Sequence, residues 1–296
     1  MMKRIFCGIF FAVLFFCGCA SVETLEKSDL TLTELEEKME KAMDPDGAFR
    51  KADSYVQREM LKIEGLFVDS IYQIDLKYKK PHFFKLTTLE NNQPISAVIF
   101  NAGSAWQVDY NEKKVTEITG TDLLRLQMLY KLTSPAEKYS QLFKNIEVLR
   151  CKIQGDSENA AEDYYKVVCG SAQNGNVINI YVDAKDFLPR RIHADLTLII
   201  KSKKQKFESD CNIESYELMD NVMIPQKSAS VSNGVESTST VFDYKLNVEI
   251  PDSEFLPPIF TENKIRSRMD RFYNDRKDRR GFRSKFNRPH FDDKKK

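Results

Sequence analysis

Apolar residues near the start of the mature-looking region recur at intervals of three and four. Leu32, Leu35, Met39 and Met43 make such a stripe, which predicts an amphipathic helix over 30–43. Thr31 and Glu34 stand at the spacing of a capping box. Pro45-Asp46-Gly47 reads as a turn, and a second helix is expected over 48–58. From Leu61 the period shortens towards two. Strands are expected over 61–68, 71–78, 83–89, 95–100, 106–110 and 115–118, with Asn91-Asn92, Gly103-Ser104 and Asn111-Glu112 as turns. A helical interruption follows. Leu123, Leu124, Leu126, Met128, Leu129, Tyr130 and Leu132 are apolar on more than one face, as in a well-buried helix, and Ser134-Pro135 starts another helix through Phe143. Strands resume over 146–153, 164–169, 177–182, 189–200, 205–216, 222–231 and 235–248. Asn174-Gly175 and Asn233-Gly234 are strong two-residue hairpin signals. The fold class is mainly β (α+β). About thirteen strands form one large curved antiparallel sheet rather than two domains, because a sheet of that length curls or splits.

The N-terminus carries a different pattern. Lys3 and Arg4 precede an apolar run from Ile5 to Phe16, which is too short to span a bilayer and fits the hydrophobic part of a secretion signal. Gly18-Cys19-Ala20-Ser21 closes it. This resembles the bacterial lipobox, with Phe16 at the usual Leu and Cys17 at the usual Ala, Ser or Thr. The resemblance implies acylation of Cys19 and export to the bacterial envelope. The alternative is an ordinary cleaved signal, or an uncleaved anchor, with Cys19 incidental. The expected organisation is a signal over 1–18, a tether over 19–29, one domain over 30–260 and a tail over 261–296.

Charge divides the chain. Residues 262–296 hold 14 Lys/Arg against 6 Asp/Glu, net +8, and the first 261 hold 31 against 38, net −7. The tail lacks aliphatic periodicity and reads as disordered. Such a segment suits anionic lipid, an anionic envelope polymer or nucleic acid, or serves only to solubilise. Export argues against nucleic acid. After the signal, three cysteines remain besides Cys19. Cys151 and Cys169 lie on consecutive expected strands and are a candidate disulfide, the alternative being small buried hydrophobes. His82, His193 and His290 are far apart without ligand-spaced acids, so no metal site is expected. Nucleophile-elbow, phosphate-loop and dinucleotide motifs are missing, and no enzymatic activity or cofactor is expected.

Several segments together resemble a known family. They are Lys79-Lys80-Pro81-His82-Phe83-Phe84-Lys85-Leu86, then Phe100-Asn101-Ala102-Gly103-Ser104-Ala105-Trp106-Gln107-Val108-Asp109-Tyr110 with Lys113-Lys114-Val115, and finally Asn247-Val248-Glu249-Ile250-Pro251-Asp252-Ser253-Glu254-Phe255. In this order, behind two helices, they resemble the outer-membrane lipoprotein-sorting (LolA/LolB-like) superfamily over about residues 30–258. Ala102-Gly103 replaces the usual Asp-Gly, Lys85 the usual Arg, and the basic tail is foreign to the pattern. The resemblance implies an unclosed half-barrel with short helices covering its concave face, and an apolar cavity that takes acyl chains of lipoproteins or lipids. Phe83, Leu86, Trp106, Leu124, Met128 and Leu129 are the candidate cavity lining, weighed against ordinary core packing. The expected role is lipoprotein or lipid sorting, anchored at the outer membrane and facing the periplasm. An envelope stress regulator on the same fold and a structural envelope lipoprotein remain as alternatives.

Overall fold

The computed structural model describes residues 22–65, 68–120, 122–123, 126–127, 130, 138–154, 162–171, 176–200 and 203–260. The expected signal, Cys19 and the expected tail beyond residue 260 lie outside these. The chain divides into two units between Pro257 and Pro258, and the first unit holds the whole sheet.

Two meanders build the sheet. The first contains β2 (Ser54–Ile63), β3 (Ser70–Lys79), β4 (Phe83–Glu90), β5 (Gln93–Asn101), β6 (Ser104–Asp109) and β7 (Lys114–Ile118). The second contains β8 (Ile146–Gln154), β9 (Glu162–Ser171), β10 (Asn176–Asp183), β11 (Pro189–Ile200), β12 (Lys203–Met219), β13 (Val222–Ser232) and β14 (Val235–Leu246). β14 pairs with β2 and β1 (Val22–Lys27) pairs with β8, giving among the described residues one antiparallel sheet of 14 strands that ends at β1 and β7 without closing. Tight turns set the register. Asn91-Asn92, Ala102-Gly103, Asp220-Asn221 and Asn233-Gly234 each join two strands with positive φ at both residues, the conformation that matches strand twist.

Short helices accompany the sheet, among them α1 (Leu32–Met43), α2 (Ala48–Lys51) and α3 (Tyr139–Leu142). The capping box of α1 forms as expected, with Thr31 N donating to Glu34 at 2.8 Å and Glu34 N donating to the Thr31 hydroxyl at 3.3 Å. Leu35 and Met39 turn the helix's apolar stripe onto Tyr165, Val167, Cys169, Ile180 and Val182. Complete burial of two such side chains contributes about 2 kcal/mol each. Glu36, also buried, accepts from Ser140 N at 2.8 Å and Ser140 Oγ at 2.9 Å, which fastens α3 to α1. Asp44 caps α2, accepting from Phe49 N and Arg50 N. Asp122, Leu123, Leu126, Gln127 and Tyr130 are helical too, within the expected buried helix.

The structure departs from the expectation at two N-terminal segments. The helix expected over 48–58 stops at Lys51, and β2 begins at Ser54. Tyr55 packs between Tyr78 and Tyr244 as a strand residue, and that burial outweighs local propensity. Residues 22–27, expected to be tether, form edge strand β1. Glu23 anchors it, accepting from Lys166 Nζ at 2.8 Å while the Cys151 thiol donates to the same oxygen at 3.1 Å.

The Cys151–Cys169 bridge does not form, and both thiols are free and buried. The ladder sets Cys169 opposite Ile146 and Cys151 opposite Tyr164. The two thus lie five positions apart along β8, about 17 Å, beyond any disulfide. They also face opposite ways: Cys169 packs under α1, while Cys151 meets Glu23. Burial pushes each thiol up to about 12, as expected of inert cysteines.

Candidate functional site

Residues directly opposed in an antiparallel ladder share a face. Starting from the residues beneath the helices, this rule assigns the inner, helix-covered face of every paired strand. In the first lobe it carries Tyr55, Tyr78, Phe84, Leu86 and Phe100, under Leu126 and Tyr130. The second lobe is the α1 core, in which Leu35 and Met39 cover β9 and β10.

An aromatic row crosses the first lobe. Ring centroids are 5.7 Å apart for Tyr244–Tyr55, 5.1 Å for Tyr55–Tyr78, 5.6 Å for Tyr78–Tyr130 and 5.2 Å for Tyr130–Phe100, all offset with small tilts. Such pairs contribute about 0.5–1.5 kcal/mol each beyond area burial. Tyr130 Oη donates to the Pro81 carbonyl at 2.6 Å, which fastens the covering helix to the sheet. Tyr244 is buried, and among the described residues its hydroxyl has no hydrogen-bond partner. Burial pushes its phenol well above the ordinary range.

Towards the second lobe the inner face turns polar. Gln57 lies opposite Tyr244, Glu59 opposite Val241, and Ser239 opposite Leu61. Gln57 Nε2 donates to Glu59 Oε2 at 3.3 Å. Burial pushes the Glu59 carboxyl up, and the Ser239 and Gln57 side chains offset part of that rise. Ser239 Oγ is buried and close to Glu59, but without a partner at full hydrogen-bond geometry. Ser230 and Ser237 share a hydrogen bond of 3.0 Å further along the same seam. A bulge in β14 between Val241 and Asp243 bends the strand beside it.

The expected lining residues separate. Leu86 is buried on the inner face. Phe83 is on the outer face, its ring 5.2 Å from Phe255, and this overturns its expected place in a cavity. Trp106 is there too: it pairs with Ile99, which pairs with Lys85, and the Lys85 ammonium reaches Glu254 on the same side. The cause is a strap. The 3₁₀ turn Asp252–Phe255 crosses the outer face, held by Lys77 and Lys85 to Glu254 at 2.7 and 3.3 Å and by Lys79 to Asp252 at 2.5 Å. It buries both faces of the strands beneath it. Leu124, Met128 and Leu129 lie outside the described residues. A depression of about 120 Å³ between Gln107, Asp109, Glu112, Lys114 and Thr116 is polar. It is smaller than the roughly 150 Å³ cavity that holds a benzene, so it takes no acyl chain. Among the described residues no cluster of three or more His, Cys, Asp or Glu could hold a metal ion.

The aromatic row and the polar seam are not apparent in the sequence. Tyr55 falls within the helix expected over 48–58 and Glu59 just past it, so that expectation hides the period-two pattern linking them to Gln57 and Leu61.

An antiparallel sheet left open at both ends, with short helices over one face, is an unclosed half-barrel. It is the LolA-like fold. A LolA superfamily protein from Nitrosomonas europaea matches with a TM-score of 0.50 and 14% identity over 77% of this chain and 98% of its own. A DUF1329 family protein from Desulfovibrio piger matches with a TM-score of 0.52 and 11% identity over 76% of this chain and 95% of its own. No family model and no curated protein matches the sequence.

Proposed function

We propose that this protein is a non-enzymatic, lipid-anchored envelope protein that binds acyl chains against its inner face and takes part in lipoprotein or lipid sorting at the outer membrane. One observation carries the reading. The inner face carries two apolar clusters in an open sheet of LolA-like fold, and short helices cover them. Each buried methylene of an incoming chain contributes about 0.8 kcal/mol.

Acylation of Cys19 supplies the anchor. Only Ala20 and Ser21 separate Cys19 from β1, so the β1 edge stands at most about 10 Å from the acylated residue. That short link suits a fixed receiver rather than a free shuttle. The basic segment 262–296 engages an anionic envelope polymer.

Native mass spectrometry of the mature protein tests the reading. Co-purifying lipid of defined mass is expected, and a ligand-free protein that acquires no lipid on incubation with diacyl lipid overturns it. Cys19→Ser abolishes incorporation of labelled acyl chains, and unchanged labelling refutes the anchor. Deletion of 262–296 lowers binding to anionic vesicles at low salt, and unchanged binding removes the tail's role.

A further inference from the structure

The polar seam is costly as packing alone. Among the described residues the buried Tyr244 Oη has no hydrogen-bond partner and the buried Ser239 Oγ has only the nearby Glu59 carboxyl, which sits between them in the register of β2 and β14. A buried hydroxyl without a hydrogen bond destabilises the fold, so groups of this kind point to a missing partner. Apolar side chains flank them on the adjoining strand, where Leu76 lies opposite Gln57, Ile74 opposite Glu59 and Tyr72 opposite Leu61.

The neighbouring charges restrict what that partner is. Arg58 and Lys62 alternate to the outer face. There Arg58 pairs with Asp243 at 3.2 Å, and Lys62 with Asp69 at 2.9 Å. Neither cation is turned towards the seam to receive a phosphate or carboxylate, and an anion beside Glu59 would be repelled. A neutral group that accepts from the hydroxyls and meets the carboxyl in either protonation state suits all of these residues.

We propose that Gln57, Glu59, Ser239 and Tyr244 form a binding site for the uncharged polar linkage of an acylated ligand: the ester, amide or hydroxyl groups at the base of its chains. The chains themselves lie along the apolar wall of β3 and the aromatic row. This rests on the acyl-binding reading and adds which part of the ligand the protein recognises.

The test uses the mature full-length protein and two probes, 1-monopalmitoylglycerol and heptadecane, each competing against a fluorescent alkyl dye. Wild type binds the ester more tightly than the alkane. Tyr244→Phe with Ser239→Ala removes only the two hydroxyls, and lowers affinity for monopalmitoylglycerol about tenfold, the effect of two hydrogen bonds. Affinity for heptadecane stays within about twofold. Glu59→Gln, an uncharged isostere, retains ester binding. Thermal melts verify that the variants fold. If the double variant loses no ester affinity, or loses both probes equally, the site assignment is overturned while the acyl-binding reading stands. If wild type binds neither probe, both fall.

Discussion

Glu23→Ala removes the carboxylate that holds edge strand β1 to the sheet, and the Lys166 ammonium loses its counter-ion. The Lys166 side chain is 10% exposed and that of Glu23 31%, so water reaches the acid but hardly the base. Breaking a fully buried pair costs about 3–5 kcal/mol. With one partner a third exposed, a charged hydrogen bond is the nearer reference, at about 1.5–3 kcal/mol. The Tyr181 ring, 5.1 Å from the ammonium, still shelters the charge. We expect a loss of about 2 kcal/mol, or a fall in Tm of about 4–8 °C. The loss has a ceiling, because β1 can detach on its own and spare the remaining sheet. Hydrogen exchange therefore shows β1 and its partner amides in β8 losing protection before the core. Lys166→Met added to Glu23→Ala restores most of the stability, since the buried charge is gone. Burial pushes the Glu23 carboxyl up, but the bonds from Lys166 and Cys151 bring it net below its ordinary value. A depressed acid stabilises above the unfolded value and loses that contribution as pH falls through the folded one. The gap between wild type and variant should thus close at acid pH. A variant within about 0.5 kcal/mol of wild type at neutral pH, with β1 protection unchanged, refutes the reasoning.

Four further outcomes rest on the same physics. Asp210 accepts from Arg191 Nε at 2.7 Å and lies 3.0 Å from His193 Nδ1, which raises the imidazole and, against burial, lowers the acid to about 2. The His193 contribution is complete below its unfolded pKa and is lost as pH rises through the raised folded value. Asp210→Asn should move the NMR titration of His193 to lower pH, and an unmoved midpoint dismisses the pair. Tyr244→Phe should stabilise the ligand-free protein by about 1 kcal/mol in urea melts, because it deletes an unpaired buried hydroxyl; a clear loss would reveal a partner. Ala102 holds φ 47° in its hairpin, so Ala102→Gly should stabilise by about 0.5–1 kcal/mol, and a destabilised variant contradicts that strain. Oxidation of the native protein should leave Cys151 and Cys169 unlinked, and a mass loss of two hydrogens within one chain would contradict the ladder.

Elements with strong local signals were legible in the sequence. The α1 stripe with its capping box, the Asn233-Gly234 hairpin and most strands of both meanders appear where the pattern put them. The resemblance carried by Lys80-Pro81, the Trp106 hairpin and Pro251–Phe255 implies the half-barrel, although Asp252–Phe255 form a strap and Phe83 and Trp106 lie on the outer face it crosses. Phe83 and Phe84 are adjacent aromatics, and only the strap decides which of them faces outward.

What the sequence determined by itself was local or periodic: helix or strand, turn positions, and an acidic body with a basic end. Tertiary structure decided everything that depended on which face a strand turns and what crosses it. Alternation has two parities, and apolar residues occupied both where the strap covers the outer face. Strand β1 had no pattern of its own, because its place comes from backbone pairing and from ion pairs to distant residues, Glu23 to Lys166 and Glu26 to Lys152. The seam of Gln57, Glu59, Ser239 and Tyr244 joins residues nearly two hundred positions apart in sequence, through the single pairing of β14 with β2. No local propensity encodes that contact, since it is set by the long-range register of the whole sheet.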